Sequence, residues 1–321
     1  MYVASNKNKQ DSFILKEIKE MGKKGLIKAL TDLQQDSNNK SNNSKFTKYF
    51  EFGNKSYYLN GLNDIIEKEL SRSVEEEFLN NDNGKWADEY NYIAYEAAVE
   101  KINPDNHNRT RDLGHAGMTI NDFLADPIAK KANLTLAEVC VLRLYTGSLY
   151  KPFNDALREV ESNLEKFRSW QTSIAVLYKA ILKLSCVQSK ERVVYRGADR
   201  KLKKEFFGIE DDSRGGAEIS FSSTSLDHKV AISYAFRGDN PDITIFEIPL
   251  EGVATGADVQ WISQYPEEKE IIIPPCTYYV CKEVYPVFLQ NSMSIHHVVI
   301  RPDISTASPN NVASIKNLTD K

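Results

Sequence analysis

Glu268 and Glu270 stand two residues apart, directly before Ile271-Ile272-Ile273 and Pro274-Pro275. The isoleucines read as a buried strand stopped by residues that cannot donate to a ladder. If strand geometry reaches back over the glutamates, their carboxylates share a face, because side chains alternate with period two. Glu67/Glu69, Glu75/Glu77 and Glu159/Glu161 repeat the spacing, but in helical-looking stretches, where residues two apart do not share a face. Upstream, Arg192-Val193-Val194-Tyr195-Arg196-Gly197 is a β-branched and aromatic run ending in Arg-Gly, and Glu218–Ser225 is an alternating strand ending in the hydroxyls of Ser223-Thr224-Ser225. Carboxylates stabilise positive charge developing on a sugar and hold a guanidinium in a two-pronged fork. The planar fork of an arginine suits phosphate oxygens. Taken singly, each piece also has a plain structural reading: a solvated strand end for the glutamates, a salt bridge for Arg196, and a helix cap for Ser225 or Asp227.

Taken in order, Tyr195-Arg196-Gly197, Ser223-Thr224-Ser225 and Glu268-Lys269-Glu270 resemble the Arg–Ser–Glu signature of mono-ADP-ribosyltransferases, a family that includes vertebrate arginine-specific enzymes and bacterial toxins. Leu142-Arg143-Leu144-Tyr145-Thr146-Gly147 and Phe153-Asn154-Asp155-Ala156-Leu157-Arg158 are similar to its helical part, so the resemblance covers roughly residues 86–303. It implies transfer of ADP-ribose from NAD to an arginine side chain of a protein, with release of nicotinamide through an oxocarbenium-like ribosyl transition state and without a metal. Arg196, with Gly197 beside it, would meet phosphate and ribose oxygens. Ser223 would hold Glu270 or the nicotinamide ribose. Glu270 would stabilise the ribosyl charge, an effect typically worth ~10²–10³ in rate. Glu268 would govern the acceptor, since a Glu two before the catalytic Glu goes with arginine and a Gln with other targets. The loop Val259–Tyr265 falls at the family's substrate-recognising turn; Trp261 and Tyr265 there are open to both target contact and packing. Phe206–Gly216, carrying Arg214, falls where the family folds a loop over the dinucleotide. Two other outcomes stay in view: an NAD glycohydrolase with water as acceptor, and an inactive binding module recruited through the N-terminal residues. The presence of all four of Arg196, Ser223, Glu268 and Glu270 counts against the inactive module.

The elements that must position these groups change character near residue 190. From Trp86 the reading is helical for about a hundred residues. Thr135-x-x-Glu138 fits a capping box, and helices over Asn154–Phe167 and Ser169–Leu184 follow, the second with Trp170, Ile174, Leu177, Tyr178 and Ile181 on a core-facing stripe. In the family these helices brace the sheets and wall one side of the NAD cleft. After residue 190 the periodicity is that of strands: Thr244–Ile248, the isoleucine run, Tyr278–Cys281 and His297–Ile300, with one helix over Asp227–Phe236. Helices first and strands later imply α+β, here a helical layer on a β-sandwich-like core of two mainly antiparallel sheets. No Gly-x-Gly-x-x-Gly follows a strand, so NAD enters only through the resemblance. The expected organisation is an extension over 1–84 (a helix over 12–35, an Asn/Ser run over 37–44, a hairpin over 46–62 and a helix over 64–79), a catalytic domain over 85–303 and a polar tail over 304–321.

With 321 residues, 41% of them hydrophobic, the chain can bury one large core or two modest ones. A net charge of −4 argues against a broad phosphate-binding surface, hence no nucleic-acid partner. No apolar run approaches the ~20 residues of a membrane span, and Met1–Lys7 lacks the apolar segment of a secretory signal. Cys140, Cys186, Cys276 and Cys281 could pair, as cysteines do in vertebrate surface members of the family; the missing signal favours four reduced thiols in a cytoplasmic protein. The adjacent His296 and His297 face opposite ways on a strand and read as structural.

Overall fold

The computed structural model describes residues 72–103, 109–160, 162–188, 191–199, 201–202, 204–207, 215–236, 240–251, 256–290 and 293–303. The expected helix over 12–35, the Asn/Ser run, the hairpin over 46–62, the start of the helix over 64–79, Arg214 and the tail lie outside these residues.

The helical layer contains α1 (Val74–Asn80), α2 (Ala87–Tyr95), α3 (Ile120–Ala125), α4 (Pro127–Lys131), α5 (Leu136–Leu144), α6 (Tyr150–Arg158), α7 (Leu164–Ser169) and α8 (Gln171–Val187). Thr135 and Glu138 form the expected capping box, each side chain accepting from the other's backbone N–H. The helix expected over Asn154–Phe167 is two: Arg158 ends α6, and Asn163 Oδ1 accepts from Lys166 N at 3.0 Å to start α7. An asparagine cap competes with helix continuation through its own backbone bond. Ile174, Leu177, Ile181 and Leu184 of α8 are fully buried, which makes this helix the axis of the layer. The packed unit reaches back past the expected boundary at residue 84. Buried Phe78 of α1 lies 5.4 Å from the Tyr90 ring and 5.1 Å from that of Trp170, and buried Glu77 accepts from Thr172 N, Ser173 N and Ser173 Oγ.

The helical run is interrupted by a hairpin that the sequence did not announce, β1 (Lys101–Ile102) pairing antiparallel with β2 (Thr110–Arg111). Two-residue strands carry no alternating pattern long enough to read.

The remaining strands are β3 (Arg192–Ala198), β4 (Gly215–Glu218), β5 (Ser222–Ser225), β6 (Asp242–Leu250), β7 (Ala257–Asp258), β8 (Glu270–Ile273), β9 (Thr277–Val284), β10 (Phe288–Gln290) and β11 (Met293–Asp303), with α9 (His228–Ala235) after β5. The fold is α+β. Hydrogen bonding links the strands in the order β4-β9-β11-β6-β3-β5-β8-β7, with β10 paired to β11. All these pairings are antiparallel except β11 with β6. The two expected sheets are therefore one path with a thin joint, since β3 meets β5 at the single pair Tyr195↔Ser225. The strand expected over Glu218–Ser225 is also divided at this level: β4 pairs with β9, while β5 pairs with β8.

Burial explains the isoleucine run. Ile272 joins the core shared with the helical layer, and Ile271 and Ile273 join a second core on the other face. A strand covered on both sides has no polar face to alternate with.

Candidate active site

Strands β3, β5 and β8, with the turn before β8, converge on a cleft of about 930 Å³ that opens between the helical layer and the sheet; Arg196, Ser223, Glu268 and Glu270 all line it.

Arg196 is held from behind. Its Nη1 donates to Ser222 Oγ at 2.7 Å, and its Nη2 lies 3.3 Å from Glu218 Oε2. Glu218 is buried, accepts from Ser220 N and Oγ, and has Arg158 Nε 3.7 Å away. Partners on this many sides fix the guanidinium plane. Gly197, next along β3, makes room for α9: a Cβ there would sit 1.9 Å from Ala231 O and 2.9 Å from Ala235 N. Gly197→Ala is expected to push the helix off the strand at a cost of ~1–3 kcal/mol, the usual range for overpacking. A thermal unfolding midpoint equal to that of the parent chain would show that the contact does not constrain α9.

Ser223 faces the cleft from β5, its Oγ 3.4 Å from the Tyr145 hydroxyl. That hydroxyl accepts from Asn154 Nδ2 at 3.1 Å, and Asn154 Oδ1 accepts from Phe221 N at 3.1 Å. Tyr145 stands where α5 widens into a π-helical segment, Tyr145–Leu149. The widening turns on Gly147, where a Cβ would lie 2.3 Å from Gln264 Nε2. Gln264 fills the space, its Nε2 donating to Arg143 O at 2.8 Å and its N to Thr146 Oγ1 at 3.0 Å. The two helical segments singled out in the sequence thus brace the cleft wall.

Glu270 opens β8 and is buried. It pairs across the ladder with Ser225, and Ser223 pairs with Ile272, so Glu270 and Ser223 share a face. Burial, then the neighbouring Glu268 charge, pushes the Glu270 carboxyl up to about 8, while hydrogen bonding to Ser223 and the Arg109 charge pull it back.

Glu268 reaches the same cleft by a different route from the one expected. It is the last residue of a 3₁₀ turn, Pro266–Glu268, and Lys269 after it is left-handed at φ 48°, ψ 49°. Lys269 is therefore not an alternating strand residue facing away; it turns the chain, and its Nζ lies 3.5 Å from Asp227 Oδ2. The turn is held by Ser225, which is bound to the site loop and is not the helix cap. Its Oγ donates to Glu268 O at 2.6 Å and accepts from Asp227 N at 2.9 Å, leaving Asp227 to cap α9.

Three residues beside Glu268 and Glu270 escaped the sequence reading. Tyr234 of α9 donates its hydroxyl to Glu268 at 3.0 and 3.1 Å from the two carboxylate oxygens. Arg109, just before β2, forms an ion pair with Glu268, donates to Tyr234 OH at 2.8 Å, and lays its guanidinium 4.6 Å from the Tyr234 ring centre. Asp112 anchors the segment carrying Arg109: it receives Arg143 Nη2 at 2.6 Å and Tyr92 OH at 2.5 Å, and its N donates to Gln264 O at 2.7 Å.

Tyr265 lines the cleft, its hydroxyl accepting from Asn103 Nδ2 at 3.2 Å. Trp261 is not among the cleft-lining residues; partly buried, it packs against the helical core, the second of the two readings left open for it. The four cysteines are unpaired. Among the described residues no helix is long and apolar enough to cross a membrane, and no group of three or more His, Cys, Asp or Glu is arranged to hold a metal ion.

Comparison with known proteins follows the same lines. A family model described as NAD:arginine ADP-ribosyltransferase matches residues 95–293, more than half of the 321-residue chain. The protein Mav of Mycobacterium avium (strain 104), a candidate NAD(+)–arginine ADP-ribosyltransferase, is 36% identical over 154 residues, which are 46% of this chain and only 16% of Mav. Among solved structures, the ADP-ribosyltransferase HopU1 of Pseudomonas syringae pv. tomato DC3000 is similar at 19% identity and a TM-score of 0.45, over 67% of this chain and 95% of that one. A mutant of the eukaryotic mono-ADP-ribosyltransferase ART2.2 in complex with NADH is similar at 22% identity and a TM-score of 0.44, over 80% of this chain and 92% of that one.

Proposed function

This chain belongs to the NAD:arginine ADP-ribosyltransferase family, and from that premise we propose that it moves ADP-ribose from NAD to an arginine of another protein. The observation that carries the acceptor is a guanidinium already seated on Glu268, that of Arg109, stacked on Tyr234. A carboxylate with a flanking aromatic face is a receptor for a planar cation.

The residues of the cleft suit NAD as the donor substrate. Its volume of about 930 Å³ lies near the top of the ~300–1,000 Å³ common for ligand sites. Bound there, NAD supplies the ribosyl group and the nicotinamide that departs. Arg196, pinned by Glu218 and Ser222, has its outer face left for phosphate and ribose oxygens, with the Gly197 backbone beside it. Ser223 orients Glu270 and offers a hydroxyl to the ribose. Glu270, raised to about 8 in the free protein, is drawn toward its ionised form by positive charge on the adjoining sugar and stabilises that charge as the nicotinamide–ribose bond breaks. Glu268 orients the acceptor guanidinium and takes its proton, which a group with a pKa above ~12 does not lose unaided. Tyr265, at the mouth beside Glu268, contacts the target; Trp261 serves packing. The four unpaired cysteines support a reducing, cytoplasmic setting.

The test is incubation of the pure protein with labelled NAD and agmatine, a small guanidinium compound. ADP-ribosyl-agmatine is the expected product. Free ADP-ribose alone would replace the reading with an NAD glycohydrolase, and intact NAD would end it.

A further inference from the structure

An arginine already lies where the transferase reading seats a target arginine. The Arg109 guanidinium pairs with Glu268, donates to the Tyr234 hydroxyl at 2.8 Å, and lies 4.6 Å from the Tyr234 ring centre. The seat is closed while it stays. Both Glu268 oxygens receive the Tyr234 hydroxyl, at 3.0 and 3.1 Å, and the Glu268 side chain is as covered as that of Arg109, 14% against 13% exposed. An incoming guanidinium therefore reaches Glu268 only by moving the resident one. The backbone beneath Arg109 is pinned: its O accepts from Asn103 N at 2.8 Å, Thr110 N donates to Glu267 Oε1 at 2.9 Å, and Asp112 is locked to Arg143 and Gln264. What can move is the long side chain, through its rotamers.

That side chain has a second station beside it. Glu267 keeps an oxygen, Oε2, that is buried and accepts no hydrogen bond among the described residues. Burial works against the charge on Arg109, and Glu268, then Tyr234 and Glu267, outweigh it, so Glu267 lies within electrostatic reach. A buried carboxylate oxygen without a donor is costly to leave and is stabilised by an arriving guanidinium.

We propose that Arg109 is a resident stand-in for the acceptor, displaced from Glu268 onto Glu267 by a target arginine, and that it sets the enzyme's choice among guanidinium compounds. This rests on the transferase reading of the same cleft. After the exchange each carboxylate holds one guanidinium. An arginine on a protein brings further contacts at the cleft mouth that help drive the exchange, whereas a small compound brings little beyond its fork. Arg109 therefore weighs most against small acceptors.

The experiment gives the full chain NAD and rising agmatine, and measures ADP-ribosyl-agmatine and free ADP-ribose in one reaction, for the parent, Arg109→Gln, Arg109→Lys and Glu267→Gln. The ratio of the products at low agmatine cancels what NAD binding and bond breaking contribute to both. An occupant that leaves the seat open about a tenth of the time weakens apparent binding about tenfold, so Arg109→Gln is expected to lower KM for agmatine and raise that ratio by about tenfold, with the effect in KM and not in kcat. Arg109→Lys should fall between, because an ammonium pairs with Glu268 without the fork. Glu267→Gln keeps an oxygen for Thr110 N and removes the receiving charge, so its KM for agmatine should rise. An unchanged or raised KM in both Arg109 variants would show that Arg109 only supports Glu268 and would overturn the proposal. An unchanged KM in Glu267→Gln would overturn the exchange onto Glu267. If none of the four chains modifies agmatine, the transferase reading falls and the proposal with it.

Discussion

Glu270→Gln is expected to abolish transfer to arginine and cleavage of NAD together, lowering both by at least ~10²–10³. Both outcomes pass through positive charge on the ribose, and Glu270 is the buried carboxylate that faces Ser223 across the β5–β8 ladder. Glutamine keeps the shape and loses the charge, so the change reads out charge stabilisation. The wild-type rate carries a second signature. With its carboxyl raised to about 8 in the free protein, Glu270 must give up a proton to act, so kcat/KM should climb with pH toward about 8, whereas the limb in kcat should fall lower because the bound donor's charge favours ionisation. Stability runs the other way. The unfolded chain releases this proton near its ordinary 4.5 and the folded chain holds it to about 8, so the contribution is full below 4.5 and is lost as pH rises through that window. NAD cleavage by Glu270→Gln at near-parental rates would remove Glu270 from the chemistry.

Glu268→Gln is expected to separate the two activities. Transfer to agmatine should be lost, while cleavage of NAD by water stays within roughly tenfold, or about 1.4 kcal/mol. Water needs little help as a nucleophile, whereas a protonated guanidinium needs a base in contact with it. The structure gives this division a geometric ground: Glu268 leaves the chain from a 3₁₀ turn and Glu270 from the strand, with left-handed Lys269 between them. Comparable collapse of both activities, measured as agmatine adduct and free ADP-ribose from one reaction, would show that the carboxylates act as one unit.

The convergence of Arg196, Ser223, Glu268 and Glu270 was legible because each sits in or next to a strand with a recognisable local pattern. The route to Glu268 was not. Period-two reasoning carried the strand back through Lys269, and nothing in a lysine announces a left-handed residue. Pro266 was the available signal, since proline favours the first position of a turn or helix. Arg109 was illegible for another reason. It belongs to a hairpin of two-residue strands inside a helical run, and its partners Glu268 and Tyr234 are brought to it by the packing of distant segments. Glu218 read as the start of an alternating strand; its pairing with Arg196 and Arg158 depends on the break that sends β4 and β5 to different neighbours. Local propensity tells which elements exist, and buried charges are matched only when those elements meet.

The single rung between β3 and β5 acts as an edge turned inward. Continued in the register of Tyr195↔Ser225, the ladder would next join Arg196 to Thr224, Gly197 to Ser223 and Ala198 to Ser222. Those rungs are absent; instead the Arg196 guanidinium spans the gap to Ser222 Oγ, and α9 lies against Gly197. A sheet edge ordinarily invites a further strand, because main-chain donors and acceptors there have no neighbour to pair with. Here that edge lies beside the cleft and is closed by a side chain and a helix in place of a strand, so the join between the two halves of the sheet depends on Arg196 and on the missing Cβ of Gly197.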